Sequence, residues 1–338
     1  MLKLQSGTPE GVKETIIFIA LNAQLCYYKA MRKIRVGVIG VGHLGSIHAR
    51  IYRALPGCCL EAICDTDKNR LDQMVRELET PGYRDYRELL GKVDAVSIAA
   101  PTKLHYEIAS EFLLNNTHAL VEKPFTTNLE EADSLIKIAK KNKLILQVGH
   151  IERFNSAFAA TRELIKDPKF IECHRLSPFP HRSVDVGAVL DIMIHDIDIV
   201  LGLVDSKIKT IEAVGVNVLT ALEDIANARI TFSNGCVANL TASRVSDEVM
   251  RKIRIFQEDT YISLDYKEAK ASVYKKDGLR IIKTDLPIEK EQPLTKELAS
   301  FIDCVIEHSE PLVSGVVARE ALKVALEIQQ QIWHTHKS

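Results

Sequence analysis

Apolar residues follow two rhythms along this chain, and the change between them divides it. From residue 34 to about 149, short unbroken apolar runs alternate with stretches of helical periodicity. The runs at 34–39, 60–64, 94–100, 118–121 and 144–148 read as strands buried on both faces of a parallel sheet. Helices are predicted at 45–55, 68–78 and 106–115. A fourth is capped by Asn128, with Glu130 and Glu131 in its first turn and Lys140 and Lys141 in its last, charges that complement the helix dipole. Alternation of this kind predicts an α/β fold with a doubly wound parallel sheet.

Beyond a bridging helix at 154–165 the pattern becomes one of short strands punctuated by turns. Asn234-Gly235 separates 228–232 from 236–242, and Asp277-Gly278 separates 272–275 from 279–283, so both read as hairpins. The second half is therefore expected to be an α/β domain with an open, mainly antiparallel sheet, interrupted by a helix at 187–203 and closed by helices at 295–308 and 316–333. The expected organisation is an extension at 1–30, a dinucleotide-binding domain at 31–150, and a substrate-binding and oligomerisation domain at 151–338.

The first predicted strand, with Val36, Val38 and Ile39, runs directly into Gly40-x-Gly42-x-x-Gly45. In such a fingerprint the first glycine makes a tight turn, the second admits a pyrophosphate and the third lets helix and strand close. The helix start, with His43 and Leu44, offers free N–H groups to phosphates. The second strand ends at Asp65, an acid placed to bind ribose hydroxyls and to repel a 2′-phosphate; NAD is therefore expected over NADP, although Lys68 and Arg70 lie close by. Ligands in these sheets lie beyond the carboxyl ends of the strands. Pro101, Thr102, His105, Glu122, Lys123 and His150 should thus converge on one crevice, the first five beside the cofactor.

Composition narrows the function by exclusion. In 338 residues, 46% hydrophobic and 26% charged, the net charge is −1, so no basic surplus points to nucleic acid or an anionic membrane. The 7 cysteines form no Cys-x-x-Cys pair and read as reduced core thiols, which places the protein in a reducing, cytoplasmic compartment. The apolar run Ile16 to Ala20 is too short for a bilayer span, and Glu10 and Glu14 do not suit a signal peptide. Met31 reads as a natural start, with an amphipathic helix packed on a partner subunit as the rival account of 1–30.

Three residues carry candidate chemistry. Lys123 follows a strand and precedes a proline; it can bond a substrate hydroxyl and favour the oxyanion, or be a surface lysine in a turn. Asp191 and His195, at helical spacing within an apolar stretch, share a face. They form either an oriented base, titrating near neutral pH, or a structural pair. Hydride transfer from an alcohol needs no metal where a base is positioned, so none is expected. Arg153, Asn155, Arg175 and Arg182, with His150, flank these groups as candidate substrate contacts, the arginine forks suiting phosphates.

Together, Gly40-x-Gly42-x-x-Gly45, Glu122-Lys123-Pro124, Gly149-His150 with Arg153-Phe154-Asn155, and Asp191-x-x-x-His195-Asp196 resemble the glucose-fructose oxidoreductase/inositol dehydrogenase (Gfo/Idh/MocA) family over about 32–333. The resemblance implies that Lys123, Asp191 and His195 form the catalytic group, with either Lys123 or His195 as base, and that the open sheet forms a homo-oligomer interface. The stretch from Arg182 to Asp198 is similar to the branch acting on UDP-N-acetylglucosamine, which implies oxidation of the sugar 3-hydroxyl ahead of an aminotransferase in lipid A synthesis. Another sugar or cyclitol (UDP-N-acetylglucosaminuronate, inositol, a hexose) and a dinucleotide-binding sensor without turnover are the competing expectations. Ser156 departs from the family pattern, which has proline there.

Overall fold

The computed structural model describes residues 33–179, 186–289 and 291–335. The expectations for 1–30, for Met31 and for Arg182 lie outside them.

Six parallel strands form the first sheet: β1 (Ile34–Ile39), β2 (Cys58–Cys64), β3 (Gly82–Tyr83), β4 (Ala95–Ile98), β5 (His118–Glu122) and β6 (Leu146–Gly149), in the order β3-β2-β1-β4-β5-β6. Every neighbouring pair is parallel. The order reverses between β1 and β4, and there the helices leave opposite faces and open a crevice at the strands' carboxyl ends. The intervening helices are α1 (His43–Ala54), α2 (Lys68–Leu78), α3 (His105–Leu114) and α4 (Leu129–Asn142). Asn128 caps α4 by accepting from the Glu131 N–H. Only the two-residue strand β3 escapes the sequence reading.

The predicted bridging helix is shorter than expected, α5 (Ser156–Arg162), entered through a tight turn at Ile151–Phe154. The second sheet has eight strands: β7 (Phe170–Leu176), β8 (Ile208–Val216), β9 (Ile225–Phe232), β10 (Val237–Ser243), β11 (Met250–Phe256), β12 (Thr260–Asp265), β13 (Lys270–Asp277) and β14 (Arg280–Asp285), ordered β14-β13-β12-β11-β7-β10-β9-β8. All pairs are antiparallel except β7 with β10. Both hairpin glycines adopt positive φ, Gly235 at 89° and Gly278 at 59°.

Helix α6 (Ile194–Leu203) packs on one face of this sheet and is preceded by a widened π turn at Val189–Met193. Helices α7 (Pro293–Glu307) and α8 (Gly315–Thr335) end the chain. Leu298, Phe301 and Ile302 of α7 join Val36, Val38 and Tyr52 in the core beneath the first sheet. Helix α8 serves two cores: Ala318 and Leu322 face the first sheet, whereas Ala325, Ile328 and Ile332 face the second. No described helix is long and apolar enough to cross a membrane, and the six described cysteines are free thiols, five of them buried.

Candidate active site

The fingerprint turn has the shape that a dinucleotide pyrophosphate requires. Gly40 has φ 84°, and a Cβ there would lie 2.7 Å from the Ala99 carbonyl oxygen. A Cβ on Gly45 would overlap the Gly40 carbonyl oxygen. A Cβ on Gly42 would instead meet only Arg70 Nη1, at 3.8 Å, so that side of the loop is open. Gly42 caps α1 without a side-chain bond, and the first intrahelical N–H to bond back is that of Ser46. The N–H groups of His43, Leu44 and Gly45 are thus presented outward at the positive end of the helix. These residues fit a dinucleotide.

Asp65, buried at the end of β2, ties the loop down. Its Oδ2 accepts from the Val41 N–H at 2.9 Å and from Arg70 Nη1 at 3.2 Å, and its Oδ1 accepts from the Asp67 N–H. Pro101 and Thr102 form the turn after β4, with Pro101 exposed and Thr102 half-buried. His105 is a correction. Its Nδ1 lies 2.9 Å from the Pro124 carbonyl and its Nε2 2.8 Å from the Ala100 carbonyl, so the buried ring latches the turn after β4 to the end of β5 and has no nitrogen left for a cofactor.

At the end of β5, Glu122 turns inward. Its Oε1 lies 3.3 Å from His48 Nε2, its Oε2 accepts from the Lys123 N–H, and it packs so closely that a Cβ on Gly149 would come within 2.8 Å of it. Lys123, followed by a cis peptide to Pro124, faces the crevice. Its Nζ donates to Asp191 Oδ1 at 2.9 Å and to the Asp191 carbonyl at 2.6 Å. Asp191 comes from the π turn, and it is paired with Lys123 rather than orienting His195, as its sequence spacing had implied.

His195 follows the π turn at the start of α6, with a buried Nδ1 that has no hydrogen-bond partner. The His150 ring stands edge-on to it, centroids 6.2 Å apart, and both His150 nitrogens are also buried without partners. Burial pushes the His195 pKa well below its ordinary value, and the positive charges of Lys123 and Arg175 push it further. Burial lowers His150 likewise, against the opposing field of Asp198. Both rings are neutral near pH 7, the state in which an imidazole accepts a proton.

The expected substrate contacts of Arg153, Asn155 and Arg175 are corrected by their partners. Arg153 forks onto Asp198, Nε to Oδ2 at 2.6 Å and Nη2 to Oδ1 at 3.0 Å. Arg175 bridges Glu152 at 2.7 Å and Asp196 at 2.8 Å. Asn155 caps α5 through the Ala157 N–H and reaches the Tyr266 carbonyl. All three side chains are buried and committed, and they hold the Ile151–Phe154 turn and β7 against α6, which fixes His195. The acids Asp196 and Asp198 within an apolar helix were the signal for this, because buried carboxylates require cations.

One cation escaped the sequence reading. Arg251 lies two and four residues before the buried Ile253 and Ile255 on β11, so it shares their face, the sheet's inner one, and it pairs in register with Arg175. Among the described residues its guanidinium has no ion pair or hydrogen bond. It is exposed, and its charge reaches both His195 and Asp196.

Comparison with known proteins is consistent with this arrangement. Residues 34–150 match the model of an oxidoreductase family with an NAD-binding Rossmann fold, and residues 149–263 match that of the GFO/IDH/MocA C-terminal domain. A UDP-N-acetylglucosamine 3-dehydrogenase of Acidithiobacillus ferrooxidans is 37% identical over 308 residues, covering 88% of this chain and 97% of that protein. The solved structure of that organism's UDP-N-acetylglucosamine 3-dehydrogenase GnnA superposes with a TM-score of 0.85, covering 89% of this chain and 98% of that one. A myo-inositol 2-dehydrogenase of Thermotoga maritima is 28% identical over 313 residues, covering 86% of this chain and 93% of the relative.

Proposed function

The chain belongs to the Gfo/Idh/MocA oxidoreductase family, and from that premise we propose that it oxidises a secondary hydroxyl of a nucleotide sugar, the 3-hydroxyl of UDP-N-acetylglucosamine, to a ketone. The observation that carries the reaction is the neutral imidazole of His195, its Nδ1 without a hydrogen-bond partner among the described residues, set in the field of Lys123, which is itself anchored on Asp191 at the carboxyl end of β5. His195 takes the hydroxyl proton. Lys123 donates to the same oxygen and stabilises the alkoxide as it develops. Asp191 holds the ammonium in place. When bound, a nicotinamide dinucleotide supplies the hydride acceptor.

The substrate reading rests on two supports, the 37% identity across nearly the whole of the Acidithiobacillus relative and Arg251 on the inner sheet face, unpaired among the described residues, which suits a diphosphate. Asp65 favours NAD over NADP, since a 2′-phosphate would meet its carboxylate. A 3-keto sugar is what an aminotransferase consumes, which places this step ahead of one in lipid A or surface-sugar synthesis in the cytoplasm. The second sheet's far face, with Tyr261 and Tyr274 stacked 4.1 Å apart, is the proposed homo-oligomer surface.

The test is NADH formation by the purified protein with UDP-N-acetylglucosamine, UDP-N-acetylglucosaminuronate, inositols and free hexoses, each with NAD and NADP. Turnover confined to the first sugar with NAD is expected. Turnover only with inositol or a free hexose overturns the nucleotide-sugar reading.

A further inference from the structure

Helix α7 places an acid behind the site that the chemistry above leaves unused. Glu297 is fully buried, and neither carboxyl oxygen has a hydrogen-bond partner. Its surroundings are polar but, among the described residues, hold no cation paired with it. Glu122 lies at the end of β5, Asp198 on α6, and His48 and Tyr52 on α1. From β6, Gln147 Nε2 donates to the Glu297 carbonyl at 3.1 Å, and Gln147 Oε1 is itself buried without a partner. The cations of this region are spoken for: Arg153 forks onto Asp198, and Lys123 bonds Asp191. On the far side of Glu122, His48 completes a chain through Nδ1 to Ser97 Oγ at 2.7 Å.

Charge accounting leaves Glu297 one option. An ionised carboxylate buried without a counter-charge costs several kcal/mol, and two carboxylates in one site do not both ionise. Burial, followed by the negative charges of Glu122 and Asp198, pushes the Glu297 carboxyl well above the usual carboxylate range. A neutral acid has an O–H to donate. The three partnerless oxygens, Glu297 Oε1 and Oε2 and Gln147 Oε1, are the kind of lining that holds ordered water, which typically makes about three hydrogen bonds in such sites.

We propose that Glu297 is a protonated positioning residue whose O–H, passed through a water held by Gln147, is donated to Glu122, keeping that carboxylate as the single negative charge between His48 and the Lys123 N–H and so fixing the catalytic lysine. The effect on Lys123 rests on the function proposed above; the protonation of Glu297 does not.

Two measurements test it. The first is thermal unfolding of wild type and Glu297→Gln against pH. In the unfolded chain Glu297 ionises above about pH 4.3, so a buried neutral acid weakens the fold increasingly as pH rises, and glutamine carries no such cost. Glu297→Gln should melt higher than wild type at pH 8, with the gap closing at pH 4; a lower melting point at pH 8 would mean an ionised, paired Glu297 and overturns the proposal. The second is the pH profile of sugar oxidation. Glu297→Leu should lose about tenfold or more in kcat with little change in KM, and its pH profile should depart from that of wild type as Lys123 loses its fixed position. Glu297→Gln should restore both. Wild-type kcat and profile in Glu297→Leu, or a tenfold loss in Glu297→Gln, overturns the positioning role. Should Glu297→Leu not fold, the glutamine variant decides alone. A wild type that oxidises no sugar refutes the proposed function, and the melting comparison still judges Glu297.

Discussion

Lys123 Nζ donates to both the carboxylate and the main-chain carbonyl of Asp191, a residue sixty-eight positions further along the chain. One ammonium thus joins the end of β5 in the first sheet to the π turn before α6, and the candidate catalytic lysine is also the tie between the two halves of the site.

Removing that ammonium should cost catalysis and spare the fold, because both partners are partly exposed to solvent. Lys123→Met is expected to lower kcat by about 10²–10⁴-fold with the melting temperature little changed. Lys123→Arg should not restore activity, since a planar fork cannot reproduce the compact double donation. Rates of NADH formation beside thermal melts decide this, and a Lys123→Met variant with wild-type kcat removes the lysine from the mechanism.

The acid limb of activity should lie below the ordinary histidine range. Burial, then Lys123, Arg175, His150 and Arg251, hold the His195 pKa down, so the base stays deprotonated as the pH falls through about 6.5. A profile of kcat/KM against pH should still be on its plateau there. Arg251→Met, by deleting a positive neighbour, should move the limb upward. A limb that moves down in that variant contradicts the assignment.

Breaking the Arg153–Asp198 pair should unfold rather than merely weaken binding. Arg153→Ala strands a fully buried carboxylate, at a cost of about 3–5 kcal/mol, which is a large share of a domain's stability. Denaturant titration should show the loss directly. A stable Arg153→Ala protein with only a raised sugar KM would return Arg153 to the substrate.

Arg251, by contrast, is expected to act on binding. Arg251→Met should raise KM for a nucleotide sugar by about 10–100-fold, the scale of one charge-assisted contact at about 1.5–3 kcal/mol, while kcat on the plateau and stability change little. An unphosphorylated sugar that turns over at all should show no KM change. Equal effects on both sugar classes would place Arg251 elsewhere than on the diphosphate.

What was legible in the sequence was local. The turn from Val36 to Gly45 announces itself by its glycine spacing, although the Ala99 carbonyl that a Cβ on Gly40 would meet comes from far along the chain, and Asn234-Gly235 closes its own hairpin. The lysine before Pro124 and the pair Asp191 and His195 were legible as residues, but not as a geometry. One extra residue in the π turn re-aims Asp191 from His195 toward Lys123, and spacing alone does not reveal such an insertion. Arg153 and Arg175 were misread because their partners, Asp198, Glu152 and Asp196, become neighbours only after the second sheet packs on α6. The face of Arg251 was readable from the two-residue spacing that it shares with Ile253 and Ile255, since it depends only on the period of a strand.

The packing of α7 on β1 has a bearing on biosynthesis. Leu298, Phe301 and Ile302 cover Val36 and Val38, so residues translated long after β1 complete the core that it begins. A nascent chain halted after β6 would expose that apolar underside, and a gene fragment ending there would yield an aggregation-prone product rather than a miniature nucleotide binder. The first sheet becomes a finished object only when the ribosome has released α7.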